Sequence, residues 1–387
     1  MSAALVPDVD LDDLRALRHD LHRHPETGFE LERTAATVAG RLQAAGLAVT
    51  TGVGRSGVVA TLRGGGSDRA IGLRADMDAL PITEQNTFAH RSTVEGRFHG
   101  CGHDGHTSML LGAALRLAAR GGLDGTVHFV FQPNEENGLG AQAMIEDGLF
   151  ERFPMDAIFG LHNLPGLPLG HVATRAGPFT SFEELFEIRL AGRGGHASAP
   201  ERTLDPVVAG AELVLALQTI VARNLAPGDY GVVSVTEFLT DGARNVIPSH
   251  VTVRGDVRGY QDSVSATVER RLRELAAAIA GAHGATAEVD YAREFVPTVN
   301  TPEEVSTAAA AARRIPGAVV DAEWPRVGFS EDFARFLEHR PGCFVLLGNG
   351  TDGAHAAPLH NPGYDFNDGA LPFGVDYWTR IVDERLG

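Results

Sequence analysis

Glu135 and Glu136 stand side by side in TVHFVFQPNEENG, at the end of an apolar run, where two like charges leaving a sheet together need a cation to offset their repulsion. Further groups able to bind a metal follow comparable runs: Asp76 and Asp78 in AIGLRADMDALP, Cys101 and His103 in HGCGHDGHT, His162 in AIFGLHNLP, and His360 in PLHNPGYDF. Imidazole, thiolate and carboxylate together suit a borderline transition ion such as Zn2+, Mn2+, Co2+ or Ni2+, and do not suit Mg2+ or Ca2+, which prefer oxygen shells. The candidates exceed the three protein groups of a mononuclear catalytic zinc site, so two ions are expected. A pair about 3.5–4 Å apart activates a water and polarises a carbonyl, which is hydrolytic chemistry. One of the two adjacent glutamates then binds metal, while the other, its pKa raised by its neighbour and by burial, moves the proton. Charge alone leaves open which of the two does which.

The elements that must carry these groups alternate along the chain. Leu11, Leu14, Leu17 and Leu21 share one face of LDDLRALRHDLHRH, and TAATVAGRLQAAG is a second amphipathic run that stops at Gly46, so two helices open the chain. Strand-like GVVATLRG, AIGLRAD, TVHFVF and DAIFGLH then alternate with helices expected from about Thr107 to Ala119 and over AQAMIEDGLF, the rhythm of a largely parallel sheet. Ligands of such sheets bind beyond the carboxyl ends of the strands, where Asp76, Asp78, Glu135, Glu136 and His162 fall. After Gly177 and Pro178 the order becomes strand, helix, strand, strand, helix, strand, the split pattern of a ferredoxin-like α+β domain. Past Pro297 the first rhythm returns, with helices expected at PEEVSTAAAAARR and SEDFARFLEH, the strand CFVLLG, and a terminal helix from about Asp368 to Leu386. The expected fold is α/β: a mixed, mostly parallel sheet with helices on both faces, in a discontinuous catalytic domain over residues 1–178 and 295–387. An α+β lid or dimerisation domain is inserted at residues 179–294.

Length and charge bound the partners. A chain of 387 residues can build two cores. With 33 basic against 50 acidic side chains its formal charge of −17 repels polyanions, which argues against nucleic acid and anionic lipid and for a small molecule. No apolar stretch is expected to approach the roughly 18 residues of a membrane span. The acidic opening MSAALVPDVDLDDL does not read as a secretory signal, and the expected location is the cytoplasm. Two cysteines are too few for a disulfide framework, and Cys343 in GCFVLLG reads as a small buried hydrophobe. His22 and His24 end the first helix, where a cation meets the dipole favourably, and Asp104 reads as the N-cap of the helix expected at Thr107. Two rival readings are a nucleophilic Cys101–His pair and a metal-dependent binding or sensor module on a catalytic fold.

These residues in this order resemble the metal-dependent aminoacylase and carboxypeptidase superfamily, in particular its branch of N-acyl-amino-acid amidohydrolases that includes hippurate hydrolases and plant auxin-conjugate hydrolases. The resemblance runs through HRHPE, RADMDALPI, HGCGHDGHTSMLLGAA, FQPNEE, GLHN, GRGGHASAP, NVIP, SEDF and LHNPGYDFND, over most of the chain. It implies a zinc-peptidase-like catalytic domain and an enzyme that hydrolyses linear amides, releasing a carboxylate and a free amino acid from an N-acetyl, N-benzoyl or similar amino acid. It further implies two divalent transition-metal ions held by Cys101, His103, Glu136, His162 and His360, with Glu135 as general base. Asp78 stands where the superfamily has an aspartate that orients a ligand, and Asp76 where many relatives have a metal-binding His for which the Cys-x-His pair compensates. His196 on the inserted domain is implied to polarise the scissile carbonyl with help from Asn245, in some relatives across a subunit boundary, and the inserted domain's helices are candidates for a homodimer contact. Dipeptidases and carboxypeptidases of the same superfamily share this chemistry and are the alternative. Gly100 and Asn134 depart from the branch, which has alanine at both places, and bear on substrate fit and metal preference.

Overall fold

The computed structural model describes residues 9–387; the first eight residues of the acidic opening segment lie outside the described residues. One sheet is built from β1 (Ala48–Val53), β2 (Gly57–Gly64), β3 (Ala70–Asp76), β4 (Gly125–Gln132), β5 (Ala157–Pro165), β6 (His171–Ala173), β7 (Val319–Asp321) and β8 (Gly342–Gly350). Their order is β1-β2-β4-β3-β5-β8-β6-β7. The central strands β4, β3, β5 and β8 run parallel, β1 and β2 form an antiparallel edge, and β6 is antiparallel to β8 but parallel to β7. Every residue of β3 and β8 is buried, so neither strand shows the apolar–polar alternation of a sheet with one wet face.

Helices α1 (Leu11–Arg23), α2 (Glu32–Ala44) and α3 (His103–Arg120) pack with the C-terminal helix Leu371–Leu386 against this sheet. The stripe Leu14, Leu17 and Leu21 of α1 is buried in that core together with Leu110 and Leu117 of α3 and Trp378 and Ile381 of the last helix. Ile71, Leu73 and Ala75 of β3 face the same core. Successive strand residues alternate sides, so Arg74 and Asp76 share the opposite face.

Three helices differ from expectation, each for a local reason. The helix expected at Thr107 begins at His103, because Gly102 in the left-handed region (φ 91) supplies the N-cap. AQAMIEDGLF breaks into Gly140–Glu146 and Leu149–Arg152 at Gly148, also left-handed. In SEDFARFLEH only Ala334–Leu337 is helical, since Glu331 accepts the Phe333 N–H of its own turn and both acids are drawn to Arg74.

The chain divides into two compact units. The larger comprises the chain up to Phe179 with Thr298–Pro325 and Glu331–Gly387; the smaller is Thr180–Pro297 with Arg326–Ser330. The boundaries expected at 178/179 and 294/295 therefore need correction: Phe179 belongs with the large unit, and Phe295–Pro297 and Arg326–Ser330 belong with the small one. There the Ser330 hydroxyl accepts from Arg258 at 2.8 Å and donates to the Ser181 carbonyl at 2.9 Å, while the Ser181 hydroxyl donates to the Gly328 carbonyl at 2.7 Å.

The small unit is a four-stranded antiparallel sheet in the order Gly231–Thr240, His250–Gly259, Phe182–Ala191, Thr286–Phe295. Burial alternates along Phe182–Ala191, so one face is covered, and helices Pro206–Asn224 and Asp262–Ala282 cover it with Leu213, Leu217, Val268 and Leu272. Pro206–Asn224 also corrects a sequence expectation. It is 19 residues with a mean hydropathy of 1.4, long and apolar enough by length and composition to cross a membrane, although Leu213, Leu217 and Ile220 pack into the unit's core.

Candidate metal centre

Because β3 and β4 are parallel neighbours with Asp76 opposite Gln132, the segments that follow them leave the sheet side by side. The Met77 N–H continues the ladder to the Gln132 carbonyl at 2.9 Å. The turn after β4 is tight, with Asn134 at φ 51, a conformation asparagine tolerates better than alanine does. That gives Asn134 a local reason to depart from the branch. Asp78 then accepts the backbone N–H of Glu135 at 3.0 Å and of Glu136 at 3.2 Å, and its Oδ1 faces His103 Nδ1 at 3.4 Å. One carboxylate thus aims both glutamates and one imidazole.

Cys101 and His103 come from the start of α3, separated by a glycine that has no substitute. A Cβ on Gly102 would lie 2.3 Å from Asn163 Oδ1 and 2.5 Å from the Tyr364 hydroxyl. His162 projects from β5, placing its Nε2 3.4 Å from Cys101 Sγ. His360 arrives on a loop, its backbone N–H bonded to the Gly100 carbonyl at 2.9 Å, with Nε2 3.3 Å from Glu136 Oε2. His103 Nε2 lies 3.8 Å from Glu136 Oε1 and 4.0 Å from Glu135 Oε2. Cys101–His103–His162, Cys101–Glu136–His360 and His103–Glu135–Glu136 each bring three donor atoms within 4.8 Å of one another. The five residues named as ligands and Glu135 therefore converge from four segments of one unit.

These residues fit a pair of transition ions on physical grounds. Both ring nitrogens of His103 and Glu136 Oε1 are buried without a hydrogen-bond partner, which costs about 1–3 kcal/mol each unless something else engages them. Burial, then the charges of Glu136, Glu135 and Asp76, pushes the Cys101 thiol well above its ordinary pKa. A thiolate forms there only beside a cation, which counts against a free nucleophilic cysteine. Burial, then Glu331, Glu136 and Asp332, raises Glu135 well above the usual carboxylate range. Against the cost of burial, His360 and His103 hold Glu136 below it. Adjacent glutamates are thus pushed apart in proton affinity, the pattern of one proton carrier and one ligand.

Asp76 is placed differently. Its oxygens accept from His106 Nδ1 at 2.6 Å and from Arg74 at 2.7 Å, and His106 Nε2 meets Asn163 Oδ1 at 2.7 Å. The group Asp76–His103–His106 is as compact as the others, but these bonds already engage Asp76 and His106. Fully buried Arg74 also reaches Glu331 at 2.9 Å and Asp332 at 3.1 Å, which sit beside Glu135. Burial, relieved by Arg74 and worsened by Glu331, raises Asp332 to about 7.

Sequence reading assigned no role to Arg74, His106, Asn163, Glu331 or Asp332. Two signals were available: an arginine inside an otherwise apolar strand must have buried partners, and His106 lies three residues after His103, on the same helical face. Asp104 is not an N-cap; it lies within α3 and binds His22 Nδ1 at 2.8 Å. Against the cost of burial, Asp104 and Glu84 raise the His22 imidazole to about 9, and His24 bonds the Asp20 carbonyl at the end of α1.

His196 and Asn245 lie in the small unit, near each other. His196 is exposed on the two-residue strand Gly195–His196, paired with Val246–Ile247, and the Asn245 carbonyl accepts the Ala197 N–H at 3.1 Å. His196 Nδ1 accepts the Ser198 N–H at 3.1 Å and meets the Ser198 hydroxyl at 2.7 Å. With Nδ1 an acceptor, the proton of the neutral ring is on Nε2.

The hippurate hydrolase of Campylobacter jejuni is 37% identical over 385 residues, covering 99% of each chain. The IAA-amino acid hydrolase ILR1-like 2 of Arabidopsis thaliana is 38% identical over 385 residues, covering 98% of this chain and 86% of the relative. A crystal structure from Bacillus subtilis, YXEP, described as a dinuclear metal binding peptidase, superposes with a TM-score of 0.83 at 32% identity over 96% of this chain and 97% of that one. With residues 72–384 matching the pattern of that family as well, the chain belongs to peptidase family M20/M25/M40.

Proposed function

We propose that the protein is a metal-dependent amidohydrolase that cleaves an N-acyl amino acid into a carboxylic acid and a free amino acid. The observation that carries this reading is the convergence of Cys101, His103, Glu136, His162 and His360 around shared points with Glu135 beside them. Relatives named for hydrolysis of hippurate and of IAA-amino acid conjugates support the substrate class. The five residues would hold two divalent transition ions of the Mn, Zn, Co or Ni class, which when bound acidify water and polarise a carbonyl.

The protein's own groups do the rest. Glu135, with its high proton affinity, takes the proton of the attacking water and delivers it to the leaving nitrogen. Asp78 keeps Glu135, Glu136 and His103 aimed. His196 offers its Nε2–H to the developing oxyanion, and Asn245 holds the strand that presents it.

Glu135→Gln preserves size and should still bind metal while losing several orders of magnitude in kcat on an N-acetyl, N-benzoyl and dipeptide panel. Near-normal turnover would remove Glu135 from its role, and a preference for the dipeptides would favour the peptidase alternative. A homodimer through the small unit is part of the proposal, supported by Leu215 and Val208, 73% and 53% exposed on Pro206–Asn224. Leu215→Glu should shift a sedimentation profile to the monomer, and an unchanged profile would count against that contact.

A further inference from the structure

A cleft of about 790 Å3 in the larger unit reaches the metal centre, with Phe29, Arg55, Leu80, Pro81, Asn137 and Glu136 on its wall. Arg55 is the one basic residue lining it, and among the described residues it makes no ion pair. Both acids on that wall are engaged, Glu30 by Arg97 at 3.5 Å and Glu136 by the metal centre. The guanidinium lies over the Phe29 ring, 4.3 Å from its centroid. Stacking occupies the flat face of a guanidinium and leaves its N–H edge free, the edge that grips a carboxylate through two parallel hydrogen bonds.

The backbone supplies an independent observation. Arg55 sits at φ 79 in the turn between β1 and β2, next to Gly54, left-handed at φ 59, and just beyond Gly52, left-handed at φ 78 where the register of β1 shifts. Glycine adopts this conformation without strain, and arginine does not. The short hairpin between Val53 and Gly57 itself calls for left-handed residues, which glycine supplies at less cost, so arginine at this position points to a use for its side chain.

We propose that Arg55 binds a carboxylate of the substrate within this cleft, beside Glu136. The proposal rests on the amide-hydrolysis reading and narrows its substrate to one carrying a carboxylate toward that wall. Two sources share the chemistry: the α-carboxylate of the amino acid, or a second carboxylate on the acyl group.

The test uses three ligands built on one amino acid: its N-acetyl form, the N-acetyl C-terminal amide, which has no carboxylate, and the N-succinyl C-terminal amide, whose carboxylate is on the acyl group. Metal-loaded protein carrying Glu135→Gln gives Kd by calorimetry with and without Arg55→Gln, and the chain with Glu135 intact gives KM and kcat. Arg55→Gln should weaken binding and raise KM tenfold or more for one of the two carboxylate ligands, which names the source, and shift the carboxylate-free amide less than twofold. Arg55→Lys should recover part of the loss. Arg55→Gly should show the same loss while melting no lower than the parent protein, because it relieves the turn. Equal losses on all three ligands, or none on any, overturn the proposal. If nothing is turned over but Kd follows Arg55, the hydrolysis reading falls and the carboxylate site stands; if turnover holds while Kd and KM ignore Arg55, the reverse is true.

Discussion

Asp78→Asn is the sharpest probe of how the centre is held. The native carboxylate accepts two backbone N–H groups, at 3.0 and 3.2 Å, and faces His103 Nδ1. Asparagine has nearly the same shape but one acceptor oxygen, so its NH2 must confront a backbone N–H in either orientation, and in one of them His103 Nδ1 as well. One charge-assisted hydrogen bond is lost, worth about 2 kcal/mol, and that corresponds to roughly 30-fold in an equilibrium constant. The loss falls on the orientation of Glu135, Glu136 and His103 together, so it should appear both in metal affinity and in catalysis, each down about 10–100-fold. Calorimetric titration of apo-protein with Mn2+ or Zn2+, paired with kcat/KM on an N-acyl amino acid, measures both. If Asp78→Asn left the two within threefold of the parent, the orienting role argued from these distances would be wrong.

Other outcomes follow from the same geometry. His22 is raised to about 9 in the fold from 6.5, so its contribution, on the order of 3 kcal/mol, is fully present below about pH 6.5 and lost as pH rises through about 9; urea unfolding at pH 6.5 and 9.5 should show that drop in the parent and not in His22→Gln. Gly102→Ala forces a Cβ against Asn163 and Tyr364 at φ 91 and should cost about 3 kcal/mol, whereas Gly100→Ala meets the Phe98 ring at 3.0 Å and Leu80 Cδ1 at 3.3 Å, both side chains that can give, and should stay within about 1 kcal/mol. Thermal melts of the two variants separate these cases. Chelation should abolish activity and lower the melting temperature, and metal at about 100 times its Kd should restore about 2.7 kcal/mol; activity that survives EDTA yet dies on alkylation of Cys101 in excess metal would return the thiol reading.

What the chain declares locally is what local chemistry controls. The apolar runs of β3, β4, β5 and β8, the stripe Leu14–Leu17–Leu21, and like charges at Glu135 and Glu136 are each explicable only by burial or by a cation, so they are legible before any fold is known. Motif order then separated general base from ligand, and the raised Glu135 and lowered Glu136 supply a physical reason for that division. Long-range partners were not legible, because no residue announces what will lie opposite it. Arg74 meets acids more than 250 positions away, Asp104 turned from expected cap to ion-pair partner of His22, and Arg326–Ser330 joined the small unit through Arg258 and Ser181. Period and composition report how each segment meets solvent, whereas the pairing of buried charges depends on register and packing between segments, which only the tertiary structure decides.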